Sequence, residues 1–238
     1  MHPYYEKNKA KLRKSMDGFL SLIREELESD LGMDYPDIME EVFDCYWKDM
    51  VEYFPYIGGD KASGTGNLTG AYVYVALGVV CTKRGMELER WGYLTTLSYQ
   101  RYFDKFPAFA KKLMGKMFTT PWIVTKALKK KDEKNAANAR ENPGSFETKV
   151  QPPTEDYPVI YHNLVCPLAN FAKERGYMEY LPYLCNLDYV MFGSMGVPLY
   201  REKTCASGDE YCDFKLKKGA PVVPAWPCHS LDPDDPLK

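Results

Sequence analysis

The sequence predicts an α+β fold, a helical N-terminal region followed by an α+β region with a small antiparallel sheet. Three observations carry this. Apolar residues recur every three or four positions through the first half; a β-branched and aromatic run appears only after residue 158; and two further strand-like runs near residue 205 flank a short Gly-containing loop.

Taken in order, Leu12, Met16, Phe19, Leu20, Ile23, Leu27 and Leu31 form one helical stripe that Gly32 closes. A second helix starts near Pro36, whose fixed φ suits a first turn, and turns Ile38, Val42, Cys45, Tyr46 and Met50 inward before Pro55. Residues 58–70 are rich in glycine and read as a loop without regular structure. A helix over 71–84 follows, closed by Gly85, and 87–117 supplies helices that Pro107 divides. This helical region spans 1–125. Residues 126–150 are polar and read as a linker or a solvated helix end.

The region 151–220 has another rhythm. Val159 to Val165 reads as a strand, and Cys166-Pro167 as the cap and first turn of a helix ending at Gly176. A helix over 181–195 precedes a hairpin with strands at 198–204 and 211–217. The proline-rich segment 221–238 reads as extended or disordered.

Composition narrows the partners. Lysine plus arginine total 31 against 33 acidic residues, a net charge of -2, so neither nucleic acid nor an anionic membrane is favoured over the whole chain. A small-molecule ligand is the expected partner, with a homo-oligomer also open. No apolar run reaches the roughly 18 residues of a membrane span, and the first residues lack a signal-peptide core, so a cytoplasmic protein is expected. Seven cysteines without the dense spacing of secreted scaffolds read as reduced thiols.

Candidate chemistry concentrates late in the chain. On the helix over 181–195, Leu184, Cys185, Asp188, Met191 and Met195 share one stripe, which sends Asp188 to the core side. A carboxylate there demands a hydrogen-bonding partner or a function. Strand alternation turns Cys212, Phe214 and Leu216 to one face and Asp213, Lys215 and Lys217 to the other. Cys166, at a helix N-terminus, is expected to lean toward thiolate. Packing alone accounts for any one of these cysteines, because a free thiol buries as readily as a small apolar group; the four residues together suggest a site.

Two chemistries fit Cys166, Cys185, Asp188 and Cys212. One is thiol and carboxylate catalysis without a cofactor; the other is a tetrahedral Zn site with these four as ligands. The gaps of 19, 3 and 24 residues match no standard zinc module. In the first half, Gly58, Gly59, Asp60, Lys61 and Asn67 form a candidate substrate-binding loop, its backbone N–H groups and Lys61 suited to a carboxylate. It lacks the Gly-x-x-x-x-Gly-Lys-Ser/Thr phosphate pattern. His162 reads as a structural strand residue, and His2 and His229 lie near the termini.

At these same positions a family resemblance appears. Pro55-Tyr56-Ile57-Gly58-Gly59-Asp60-Lys61, Tyr183-Leu184-Cys185-Asn186-Leu187-Asp188-Tyr189 and Thr204-x-x-x-Gly208-x-x-x-Cys212-Asp213-Phe214 resemble the L-2-amino-thiazoline-4-carboxylic acid hydrolase family over roughly residues 50–218. The last motif is also similar to the 4-vinyl reductase small-molecule-binding domain, which implies a non-catalytic small-molecule or metal sensor as the alternative. The hydrolase resemblance implies ring opening of a cyclic amidine to a carbamoyl product, with Asp188 holding the amidinium. Cys205 departs from it, standing where an aliphatic residue is expected.

Overall fold

The computed structural model describes residues 1–62, 64–217 and 219–229. Its first half is helical: α1 (Pro3–Lys7), α2 (Lys9–Leu20), α3 (Arg24–Leu31), α4 (Tyr35–Asp44), α5 (Gly64–Lys83), α6 (Leu88–Asp104), α7 (Ala108–Phe118) and α8 (Pro121–Glu141). Then come β1 (Glu147–Gln151), β2 (Val159–Val165), α9 (Pro167–Arg175), α10 (Leu181–Ser194), β3 (Leu199–Tyr200) and β4 (Cys212–Leu216). The expected α+β class is what the chain adopts. Among the described residues no helix is long and apolar enough to cross a membrane.

Local chemistry sets most boundaries where the sequence places them. Gly32 ends α3 at φ 62°, and Pro107 caps α7. Cys166 is the N-cap of α9, Pro167 its first residue and Gly176 its left-handed stop at φ 78°. The stripe from Leu12 to Leu31 is one face of two helices, because a single turn of tighter helix at Ser21–Ile23 separates α2 from α3. The α4 helix runs on through a wider turn, Cys45–Met50, before Pro55.

Two expectations need correcting. The glycines at 64, 66 and 70 do not keep residues 58–70 irregular: α5 begins at Gly64, where the Phe146 ring occupies the space a Cβ would need. The irregular stretch is confined to the turn near Gly58 and Gly59, at φ 103° and 57°. Of the two readings of the polar run, a linker or a solvated helix end, the chain takes the second: from Lys126 to Glu141 it is the C-terminal three-quarters of α8. The correction is that it is fastened to β1, a strand the sequence reading omits. Asp132 accepts hydrogen bonds from the Thr148 hydroxyl at 2.6 Å and the Val150 N–H at 2.7 Å, and Asn138 donates to the Ile57 carbonyl at 2.9 Å.

The four strands form one antiparallel sheet in the order β1-β2-β4-β3. Tyr161 opposes Phe214, their rings stacked at 4.6 Å, and Asn163 opposes Cys212. Two apolar clusters result, a large one within the helices and a smaller one between the sheet and α10. The α10 helix belongs to both, through Leu184, Leu187 and Val190 in the first and Tyr189 and Phe192 in the second. It is apolar nearly all round because it is covered nearly all round. The segment after β4 is irregular, yet Val223, Cys228 and His229 are buried, and Asn186 of α10 donates to the Ala225 carbonyl. Residues 230–238, the remainder of the proline-rich segment, lie outside the described residues.

Candidate functional site

Between the helical half and the sheet lies a cavity of about 530 Å³. The start of α5 supplies Asn67, Leu68 and Ala71; α8 supplies Lys131, Asn135 and Asn138; the sheet supplies Tyr161, Asn163 and Phe214; and α10 supplies Leu184, Cys185, Asp188 and Met191. Cys166 and Cys212 complete the same wall. The structure thus brings together all four C-terminal residues singled out from the sequence, and Asn67 joins them across the cavity.

Helical spacing does most of this work. Cys185 and Asp188, three apart on α10, project to one side, while β4 alternation sends Cys212 and Phe214 inward from the sheet. The Thr204-to-Phe214 motif builds the turn that delivers Cys212. The Ser207 N–H donates to the Thr204 hydroxyl at 3.1 Å, and the Asp209 N–H to the Thr204 carbonyl at 3.1 Å. Gly208 takes φ 91°. Asp213, on the opposite face of β4 from Cys212, is not left to solvent. It is buried, accepting hydrogen bonds from the Glu202 and Lys203 N–H groups and pairing with Lys215 at 3.0 Å.

The residue missing from the sequence reading is Arg201. Its guanidinium is fully buried, donates from Nη1 to Asp188 Oδ2 at 2.8 Å and from Nη2 to the Cys185 carbonyl at 2.6 Å, and lies over the Tyr189 and Phe214 rings. Its Nε has no partner among the described residues. The signal was available: Arg201 follows Leu199 by two in a strand-like run, so period-two alternation turns it inward beside a buried leucine.

Asp188 and Arg201 are unequally covered. A third of the Asp188 side chain is accessible, and it lines the cavity. Burial pushes the Asp188 carboxyl above its ordinary range, and the Arg201 charge opposes that rise without cancelling it. Burial opposes the charge on Arg201, yet Asp188 keeps it firmly protonated.

The thiols run against one expectation. Cys166 does receive the favourable influence of the Ala169 and Leu168 N–H groups at the start of α9, but burial outweighs it and pushes the thiol up to about 12. Burial also drives the Cys185 thiol well above its usual value, and the Cys205 contact together with burial raises Cys212. The half-buried Cys205 moves down instead, held there by the Cys212 side chain, whose Sγ also accepts the Cys205 N–H at 3.2 Å. The lining thiols are therefore neutral at physiological pH.

The Gly58 to Lys61 turn stands apart from this wall. Asp60 is at the surface, accepting from the Tyr4 hydroxyl and Lys11 at 3.0 Å each, and Lys61 is exposed. Gly58 packs under Asn138 and Gly59 under the Tyr4 ring, so the turn's glycines serve close packing. The turn packs between α1 and α8 and leads into α5. No histidine lines the cavity: His162 stacks on Tyr211, His2 on Tyr56, and His229 is buried near Tyr189. Cys166, Cys185, Asp188 and Cys212 share one wall of the cavity, and among the described residues no group of three or more His, Cys, Asp or Glu is placed to hold a metal ion.

The model of one protein family, L-2-amino-thiazoline-4-carboxylic acid hydrolase, matches residues 81–216, more than half of the 238-residue chain. The chain belongs to that family. The matched span runs from the end of α5 to the end of β4 and so contains Cys166, Cys185, Asp188, Arg201 and Cys212. The family name denotes hydrolysis of a thiazoline compound. No curated protein and no solved structure matches the chain.

Proposed function

We propose that the cavity binds a small cyclic amidine of the thiazoline class and that the chain opens its ring by hydrolysis. The observation that supports this most directly is Asp188, a carboxylate with one oxygen committed to Arg201 that also lines the cavity. An amidinium offers a planar pair of N–H donors, which a carboxylate accepts as it accepts a guanidinium. Desolvation favours the neutral acid at Asp188, and Arg201 works against it in favour of the carboxylate.

In this reading water is the nucleophile, because the raised thiol pKa values leave few thiolates in the resting cavity. Asp188 accepts a proton as the water oxygen bonds to the amidine carbon. The carbon–sulfur bond then breaks, its electron pair leaving on sulfur, which takes the proton back from Asp188, while the added hydroxyl becomes the carbamoyl C=O and releases its own proton to solvent, the equivalent of the one the amidinium brought in. The products are a carbamoyl-substituted amine and a free thiol. Cys166, Cys185 and Cys212 act as neutral, polarisable walls. No resident cofactor is required by this sequence of steps.

The test is release of thiol from 2-amino-thiazoline-4-carboxylate. Asp188→Asn is expected to lower kcat/KM by roughly 10²-fold or more, the ordinary contribution of a positioned acid–base group. Cys185→Ser should change KM more than kcat. Wild-type turnover by Asp188→Asn would overturn the reading, and wild-type protein that binds the amidine without opening it would favour the sensor alternative.

A further inference from the structure

We propose that the surface formed by α7 and the first turn of α8 docks on an anionic lipid bilayer. The inward face of α7 is fixed at one point: Gly115 is its only buried residue, set so closely against the Met195 carbonyl that a Cβ would collide with it. Phe118, on the same side, meets the Phe192 ring at 5.5 Å. On the opposite side Phe109, Leu113 and Met117 recur every four residues and stand 76%, 60% and 49% exposed. Trp122, at the start of α8, is 72% exposed. A helix on a protein surface ordinarily turns its apolar stripe inward; here the stripe faces out.

Charge identifies the occupant. From Lys105 to Lys134 the chain carries nine lysines against two acidic residues, Asp132 and Glu133, although its net charge is -2. Whole-chain neutrality thus conceals a segregated basic face. Of these lysines Lys111 is paired with Asp104, while Lys112, Lys116, Lys126, Lys129 and Lys130 form no ion pair with a described residue. A second copy of the same face would oppose lysine to lysine. An anionic headgroup layer complements it, with the apolar side chains at the acyl boundary, Trp122 at headgroup level and the lysine stems snorkelling outward. Lys131, Asn135 and Asn138 of the same α8 line the cavity, which places it beside the docking face.

The experiment is sedimentation of the full chain with vesicles of phosphatidylcholine alone or with phosphatidylserine as a minor component, at low and high salt. Expected are a partition at least about tenfold stronger onto the anionic vesicles, a fall in that partition with salt, and a blue shift of Trp122 emission that Trp122→Phe removes. The double variant Phe109→Ser, Leu113→Ser should lose about tenfold, and Lys112→Gln with Lys116→Gln should lose the anionic preference. These side chains are exposed, and circular dichroism checks that the variants stay folded. Equal partition onto both vesicles, or unchanged binding by the double serine variant, overturns the proposal. So does a concentration-dependent dimer that the double serine variant abolishes, since a second copy then covers the face.

Discussion

Arg201 Nη1 donates to Asp188 Oδ2 at 2.8 Å, and the guanidinium is completely buried while the carboxylate keeps a third of its surface on the cavity. The pair therefore does two separable things. Arg201 is a structural cation, tied also to the Cys185 carbonyl and two aromatic rings. Asp188 is the member that can meet a ligand.

Removing Arg201 leaves an uncompensated carboxylate and takes away the added hydrogen bond to the Cys185 carbonyl. Arg201→Leu is expected to cost about 3–5 kcal/mol of unfolding free energy, the range for breaking one side of a buried pair. Urea unfolding measures it. The double variant with Asp188→Leu should recover much of the loss, because no charge is left unpaired; a double variant as unstable as the single would show that the guanidinium's packing, not its charge, dominates.

Asp188 also sets a pH dependence whose sign follows from its raised pKa. The folded protein holds this proton more tightly than the unfolded chain, whose value lies near 3.8. The proton's stabilising contribution is present below 3.8 and is lost as pH rises through the folded value. On acidification, stability should therefore shift in favour of wild type over Asp188→Asn. Ring-opening activity, which needs the carboxylate, should fall on its acid limb at a pH above the ordinary carboxylate range. A pH–rate profile with its acid limb at 3.8 or below would contradict this.

The cysteines should separate by reactivity. Cys205, half-buried and lowered by its Cys212 neighbour, is expected to alkylate first with iodoacetamide at neutral pH. Cys166, pushed up to about 12, should react slowly and accelerate as pH rises. Peptide mass mapping over time reads the order, and Cys212→Ala should slow Cys205. Fast labelling of Cys166 at neutral pH would restore it as a candidate nucleophile.

Much of the site was legible because its determinants are local. The caps at Cys166 and Gly176, the spacing of Cys185 and Asp188, and the alternation through Cys212 each depend on a few neighbouring residues. What escaped depends on distant partners. The polar face of α8 looks unburiable until β1 supplies Thr148 and the Val150 N–H to Asp132, and nothing within residues 126–142 announces that pairing. Alternation with Leu199 turns Arg201 inward, but a buried guanidinium looks untenable until Asp188, on another element, neutralises it. The glycines of α5 look like loop residues until Phe146 claims the space beside Gly64.

The position of α10, and with it Asp188, rests on how closely α6 approaches. At Gly92 a Cβ would overlap the Tyr183 ring, which itself packs against Trp91 at 5.6 Å and Trp226 at 6.4 Å and so has nowhere to retreat. Gly92→Ala is therefore expected to cost about 1–3 kcal/mol despite the better helix propensity of alanine, because overpacking between two helices outweighs it. Tyr183 precedes Cys185 by two residues on α10, so the displaced helix should also lower ring-opening activity. Gly18→Ala provides the contrast. It lies on the exposed side of α2 with nothing within 4 Å of the added Cβ, and it should stabilise by about 0.4–1 kcal/mol. Thermal or urea unfolding of the two variants checks both signs in one comparison. If Gly92→Ala also stabilises, α6 and α10 are not in close contact at Tyr183, and the placement of Asp188 at the cavity wall fails with it.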